Sequence, residues 1–235
     1  MLHSALGCLG ATLSMSLTWP QVYKSCVERR TNGLSATACT LGVAMPVGWI
    51  TDGLLGRDPI QVVSNTVTGV SGLAILIALL LIEPHLRSGR SLLVSAGTAG
   101  VVVAAAGLSA AAAALPAVRG TEVAPALGLV LAAVSLVAAV PQPLALLRDR
   151  TQDLSGLSPL RWRLAAGACG SWLLYGLGAG QPGVWGSGLV GLVSAAIVCA
   201  VLHARREPVE VEVVTGTAVR WRDSVTTRTP AMAGV

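Results

Sequence analysis

Three side chains in this sequence combine shape and hydrogen bonding in a way that suits holding a small hydroxylated solute. Trp49 and Trp172 stand 123 residues apart in otherwise apolar stretches, and Asn65 follows the first tryptophan by 16 residues. An indole offers a flat face to C–H groups, and an amide offers hydroxyls both a donor and an acceptor. An asparagine within an apolar segment is costly unless it finds a partner, which favours a place on a cavity wall. Sixteen residues after Trp172 stands Gly188, so the second amide is missing, and a pocket built from both places would be roomier and less polar. A structural reading stands beside the binding one, because tryptophan also anchors helices at a membrane interface.

The elements that carry these residues are long and apolar. Of 235 residues, 53% are hydrophobic and 11% charged, and the mean hydropathy is +0.71, far from an ordinary soluble domain. A helix needs roughly 20 mostly apolar residues to cross a hydrocarbon core. The sequence predicts seven such spans: Ser4 to Val22, Ala36 to Leu55, Ile60 to Ile82, Leu92 to Leu115, Pro125 to Leu147, Arg161 to Ala179 and Val184 to His203. Met1 to Ala5 lacks the basic start of a secretory signal, so the first stretch reads as the first span. The net charge of +5 would suggest nucleic acid for a soluble chain, but here the charges lie between spans and set orientation. Lys24, Arg29, Arg30, Arg87, Arg90, Arg148, Arg150, Arg161, Arg163, Arg205 and Arg206 fall on one side, Arg57 and Arg119 on the other. Positive charge marks the cytoplasmic side, which places the N-terminus outside and the C-terminus in the cytoplasm, as an odd number of spans requires. A plasma-membrane location follows, with an arginine-rich, lysine-poor composition that points to a bacterial source. The five cysteines show no metal or redox spacing and read as small buried hydrophobes.

The sequence repeats itself. Trp19-Pro20-Gln21 returns as Val140-Pro141-Gln142, and Gly33-Leu34-Ser35 as Gly156-Leu157-Ser158. From there an offset of 123 pairs Trp49 with Trp172, Gly53 with Gly176, Pro59 with Pro182, Ser64 with Ser187 and Ser71 with Ser194. Two parallel three-helix units joined by one connecting helix give a 3+1+3 all-α integral membrane fold. Its parts are a first repeat over 1–83, a linker helix over 84–121, a second repeat over 122–204 and a disordered cytoplasmic tail over 205–235. The linker's alanines and glycines suit close helix packing.

Each Pro-Gln pair, Pro20 with Gln21 and Pro141 with Gln142, lies near one end of the first helix of its unit. A proline there removes a backbone hydrogen bond and clashes with the preceding turn, which makes a hinge or a static kink. With their Gly-Leu-Ser loops and the run Trp172 to Gly176, these sites resemble the PQ-loop superfamily, and within it the SWEET and SemiSWEET sugar transporters. The resemblance covers two blocks and spares the linker and the tail. It implies a sugar bound at mid-membrane between a second-helix residue and a third-helix asparagine of each unit, here Trp49 with Asn65 and Trp172 with Gly188. It also implies an outer gate in which Tyr175 meets Asp52 and Arg57, with Asp58 following.

No acidic or basic residue sits deep in any predicted span, Asp52 being the one exception, and this favours facilitated diffusion over proton coupling. The expected function is therefore a facilitator of a small polar solute, a sugar by preference, working by alternating access. The alternatives are a proton-coupled amino-acid transporter of the same superfamily and a seven-helix receptor or scaffold that moves no solute. No paired carboxylate, histidine cluster or activated nucleophile lies within the spans, so neither an enzyme, a metal site nor a cofactor is expected. The expected partners are the solute and the bilayer, not nucleic acid. The two covalent halves already make a pseudo-symmetric pore, so a homo-oligomer is compatible with the fold but not required by it.

Overall fold

The structure is a computed structural model that describes residues 2–31, 34, 36–83, 89–139, 141–148 and 159–204. The second Gly-Leu-Ser loop, most of the first and the tail from 205 lie outside the described residues. Among these, every regular element is helical: α1 (Leu2–Val22), a π-helical turn (Tyr23–Val27), α2 (Ala36–Gly56), α3 (Pro59–Ile82), α4 (Gly89–Ala113), α5 (Gly120–Ala139), α6 (Pro141–Arg148), α7 (Pro159–Ala179) and α8 (Pro182–Ala204).

Four of them, α2, α3, α5 and α8, are long and apolar enough to cross a membrane. Large apolar side chains stand exposed along the bundle's exterior, among them Leu54, Val63, Val70, Leu81, Leu108, Leu129, Val137 and Leu177. Such a surface suits lipid rather than water.

The offset of 123 recurs in the helix bounds. The bounds of α2 and α7 differ by 123 residues at both ends, and α3 and α8 begin 123 apart. The turns between them match bond for bond. Arg57 N–H donates to Leu54 O at 3.4 Å and Asp58 N–H to Gly53 O at 2.7 Å, while Gly180 N–H donates to Leu177 O at 3.4 Å and Gln181 N–H to Gly176 O at 2.8 Å. This pair of bonds is the Schellman closure, which needs a left-handed residue just past the helix. Arg57 (φ 59°) and Gly180 (φ 68°) supply it. A proline at the first position of the next helix then fixes its entry, Pro59 in one half and Pro182 in the other.

The helices pack into a closed ring in the order α1, α3, α2, α5, α8, α7 and back to α1, with α4 outside against α2 and α5. Glycines set the tight crossings, as expected where packing in lipid drives association. Gly183 of α8 lies against the Gly128 backbone of α5, and Gly72 of α3 against the Gly42 carbonyl of α2. Gly48 leaves the space that Leu131 and Val102 fill. This joins α2, α5 and α4 through a core of Ala44, Ala99, Val102, Leu127 and Leu131.

The fifth predicted span, Pro125 to Leu147, differs from the structure. Helix α5 starts earlier, at Gly120, and ends at Ala139, and α6 begins at Pro141. Residue 140, between the two, lies outside the described residues. At Pro20, α1 runs on to Val22 and then widens into the π turn. Gln21 Nε2 donates to Ser25 Oγ across that turn at 2.9 Å. The side chains of Pro141 and Gln142 lie outside the described residues.

Candidate functional site

A cavity of about 150 Å³ opens inside the ring, lined by α1, α2, α3, α7 and α8. All four residues singled out from the sequence line it: Trp49, Asn65, Trp172 and Gly188. At a 1.5 Å rise per residue, Trp49 and Trp172 stand roughly 10 Å from the ends of α2 and α7, and Asn65 roughly 9 Å from the start of α3. Those are the ends that meet the start of α1. Trp172 Nε1 donates to Ser14 Oγ at 3.0 Å, which fixes the indole from the opposite unit. Asn65 Nδ2 donates to the Gln61 carbonyl one turn earlier at 2.9 Å.

Further polar side chains reach the cavity. Ser14, Gln61, Ser64, Thr68 and Ser187 line it as well. Gly188 does not make it roomier: a Cβ there would fall 2.7 Å from Leu173 N and 3.0 Å from Cys169 O. The missing side chain is the room that the α7 backbone occupies. Ser64 and Ser187 are repeat partners whose signal was in the sequence, and Gln61 could have been found as an amide one helical turn before Asn65.

Towards the start of α1 the cavity is followed by a polar cluster. Asp58, 5% exposed, caps α3: its Oδ1 accepts Gln61 N–H at 3.1 Å. Its Oδ2 accepts the Tyr175 hydroxyl at 2.6 Å and Gln181 Nε2 at 3.1 Å. Both of these donors come from the second half, so one carboxylate of the first half ties the halves together. Tyr175 also stacks edge-on against Trp172, with ring centroids 5.6 Å apart.

The predicted Tyr175, Asp52 and Arg57 grouping is therefore arranged differently. Tyr175 meets Asp58 rather than Asp52. Asp52, 8% exposed, instead accepts Gln61 Nε2 at 2.8 Å, and both aspartates line a second cavity of about 200 Å³ with Thr121 and Gln181. Arg57 is exposed and makes no ion pair among the described residues; its left-handed backbone turns it away from the cluster. Two buried carboxylates thus stand at this end, Asp52 near the end of α2 and Asp58 in the turn before α3. Asp58 stands in the short turn between spans, where an aspartate before a helix-starting proline is a capping signal. Among the described residues, no group of three or more His, Cys, Asp or Glu side chains is placed to hold a metal ion.

No protein-family model matches the sequence, and no curated protein matches it. A solved structure of a eukaryotic SWEET transporter does match, with a TM-score of 0.63 and 19% sequence identity, over 86% of this chain and 95% of that one. At that identity the likeness is one of fold, and it gives this chain a helical membrane-protein fold shared with that transporter.

Proposed function

We propose that the chain is a seven-span transporter of 3+1+3 layout that lets a small hydroxylated solute, a sugar of one ring, equilibrate across the membrane by alternating access. The observation that carries this reading is the cavity between the halves, walled by Trp49, Asn65 and Trp172. Two indoles supply flat faces for C–H groups, while the Asn65 amide and the serine and threonine hydroxyls answer a solute's own hydroxyls. A volume of about 150 Å³ is too small for two sugar rings, which favours a solute of one ring.

In this reading the Tyr175–Asp58–Gln181 cluster is the outer gate, and the conformer described is closed at that side. Opening would separate Tyr175 and Gln181 from Asp58 as the halves rock, with the Pro20-Gln21 and Pro141-Gln142 sites as pivots. Asp58 takes the part that the sequence pattern assigns to Asp52 and Arg57.

Counterflow of labelled glucose in proteoliposomes tests the pocket. Wild-type protein should accumulate the label transiently, and Trp49→Ala combined with Asn65→Ala should abolish that overshoot. Unchanged counterflow in the double variant would sink the pocket assignment. A second reading, proton-coupled solute transport, is favoured by one observation: Asp52 is buried beside the route with an amide, not a cation, as its bonded neighbour. Flux that requires a pH gradient and vanishes in Asp52→Asn would establish it.

A further inference from the structure

We propose that Gln61 is a positioning residue that ties the solute cavity to the Asp58–Tyr175 contact. The inference rests on the transport reading above and deepens it. Gln61 is 1% exposed and lines the cavity, yet its bonds reach beyond it. Its backbone N–H holds Asp58 Oδ1. Its Nε2 donates to Asp52 Oδ2 at 2.8 Å and to the Trp49 carbonyl at 3.1 Å, and its own carbonyl accepts from Asn65. One residue thus bonds to two cavity walls and to both buried carboxylates.

The remaining polar atom, Gln61 Oε1, is buried and has no donor among the described residues. A solute pressing on Trp49 or Asn65 moves groups bonded directly to Gln61, and any displacement of Gln61 loads the carboxylate that Tyr175 and Gln181 share. In the second half the equivalent residue is Val184, which has no polar side-chain group for such a link. The coupling is built into one half only. A solute shifts the gate only as far as its contacts differ between the open and closed forms, and Gln61 is where such a difference can be transmitted.

The test compares wild type, Gln61→Leu and the exchange pair Asp52→Asn with Gln61→Glu, which swaps amide and carboxylate along one hydrogen bond. Each is made with Ala124→Cys, a buried position on the second cavity, and reconstituted in liposomes. Glucose binding is read from tryptophan fluorescence, and opening from the maleimide labelling rate at position 124, after subtracting labelling of the same protein without that cysteine. In wild type, glucose should change the labelling rate severalfold. With glucose raised for each protein until its fluorescence change saturates, the labelling rate of Gln61→Leu should no longer respond, and the exchange pair should restore the response. A Gln61→Leu protein whose labelling follows glucose as wild type does would overturn the inference. If no sugar perturbs wild type, the sugar reading fails instead, and solute-free labelling decides the role of Gln61. Faster labelling in Gln61→Leu, reversed in the exchange pair, would uphold it, and equal rates in all three would overturn it.

Discussion

The two halves share a backbone and divide the chemistry between them. At the turn, Gly53 and Gly176 accept the same bond, and Pro59 and Pro182 open the next helix. The side chains at equivalent places then diverge: Asp52 against Tyr175, Arg57 against Gly180, Asp58 against Gln181, Gln61 against Val184 and Asn65 against Gly188. The first half presents acceptors and charge, and the second presents donors and close backbone. Two identical halves would set aspartate against aspartate across the axis. A diverged pair sets Gln181 and the Tyr175 hydroxyl against one aspartate, which makes the contact attractive.

The largest effect should come from breaking that contact. Asp58→Ala removes a helix cap and leaves Tyr175 and Gln181 without their acceptor, a loss of about 3 kcal/mol. Its melting temperature in detergent should fall well below that of Tyr175→Phe, which deletes one bond and keeps the cap. Next comes Gly188→Ala, which forces a methyl group against the α7 backbone and should cost about 2 kcal/mol. Asn65→Gly, the reciprocal change, creates no such clash, so thermal melts of the two should rank them in that order.

Trp172→Ala removes one stacking face of the cavity and the ring against which Tyr175 packs. Initial solute flux should fall about tenfold, the scale of about 1.4 kcal/mol, in a transport assay on folded protein. The smallest effect concerns the left-handed position that both halves use. Arg57→Gly relieves a side chain held at positive φ and should raise stability by up to about 1 kcal/mol with transport unchanged, while Gly180→Ala should lower it by a similar amount.

Much of this contrast is legible in the amino-acid sequence alone. Paired Trp49 and Trp172, with Asn65 and Gly188 at equal distances after them, mark the cavity walls, because repeated rare residues at one offset record a shared backbone. The hydrophobic runs mark the long helices within a few residues. What stays hidden follows from geometry between helices. The tightness at Gly188 depends on how closely α8 approaches α7, which no single segment encodes. The partner of Tyr175 depends on a turn whose left-handed residue directs Arg57 outward and Asp58 inward. Gln61 lies at a helix start, where a polar residue looks like an ordinary end of a span, and only its four partners reveal its place.

Uptake of labelled glucose and of neutral amino acids into proteoliposomes, with and without an imposed pH gradient, tests the central claim most directly. The account predicts that glucose equilibrates at the same rate in both conditions and that amino acids do not cross. Amino-acid flux that appears only with the gradient would contradict it and move the functional role to Asp52.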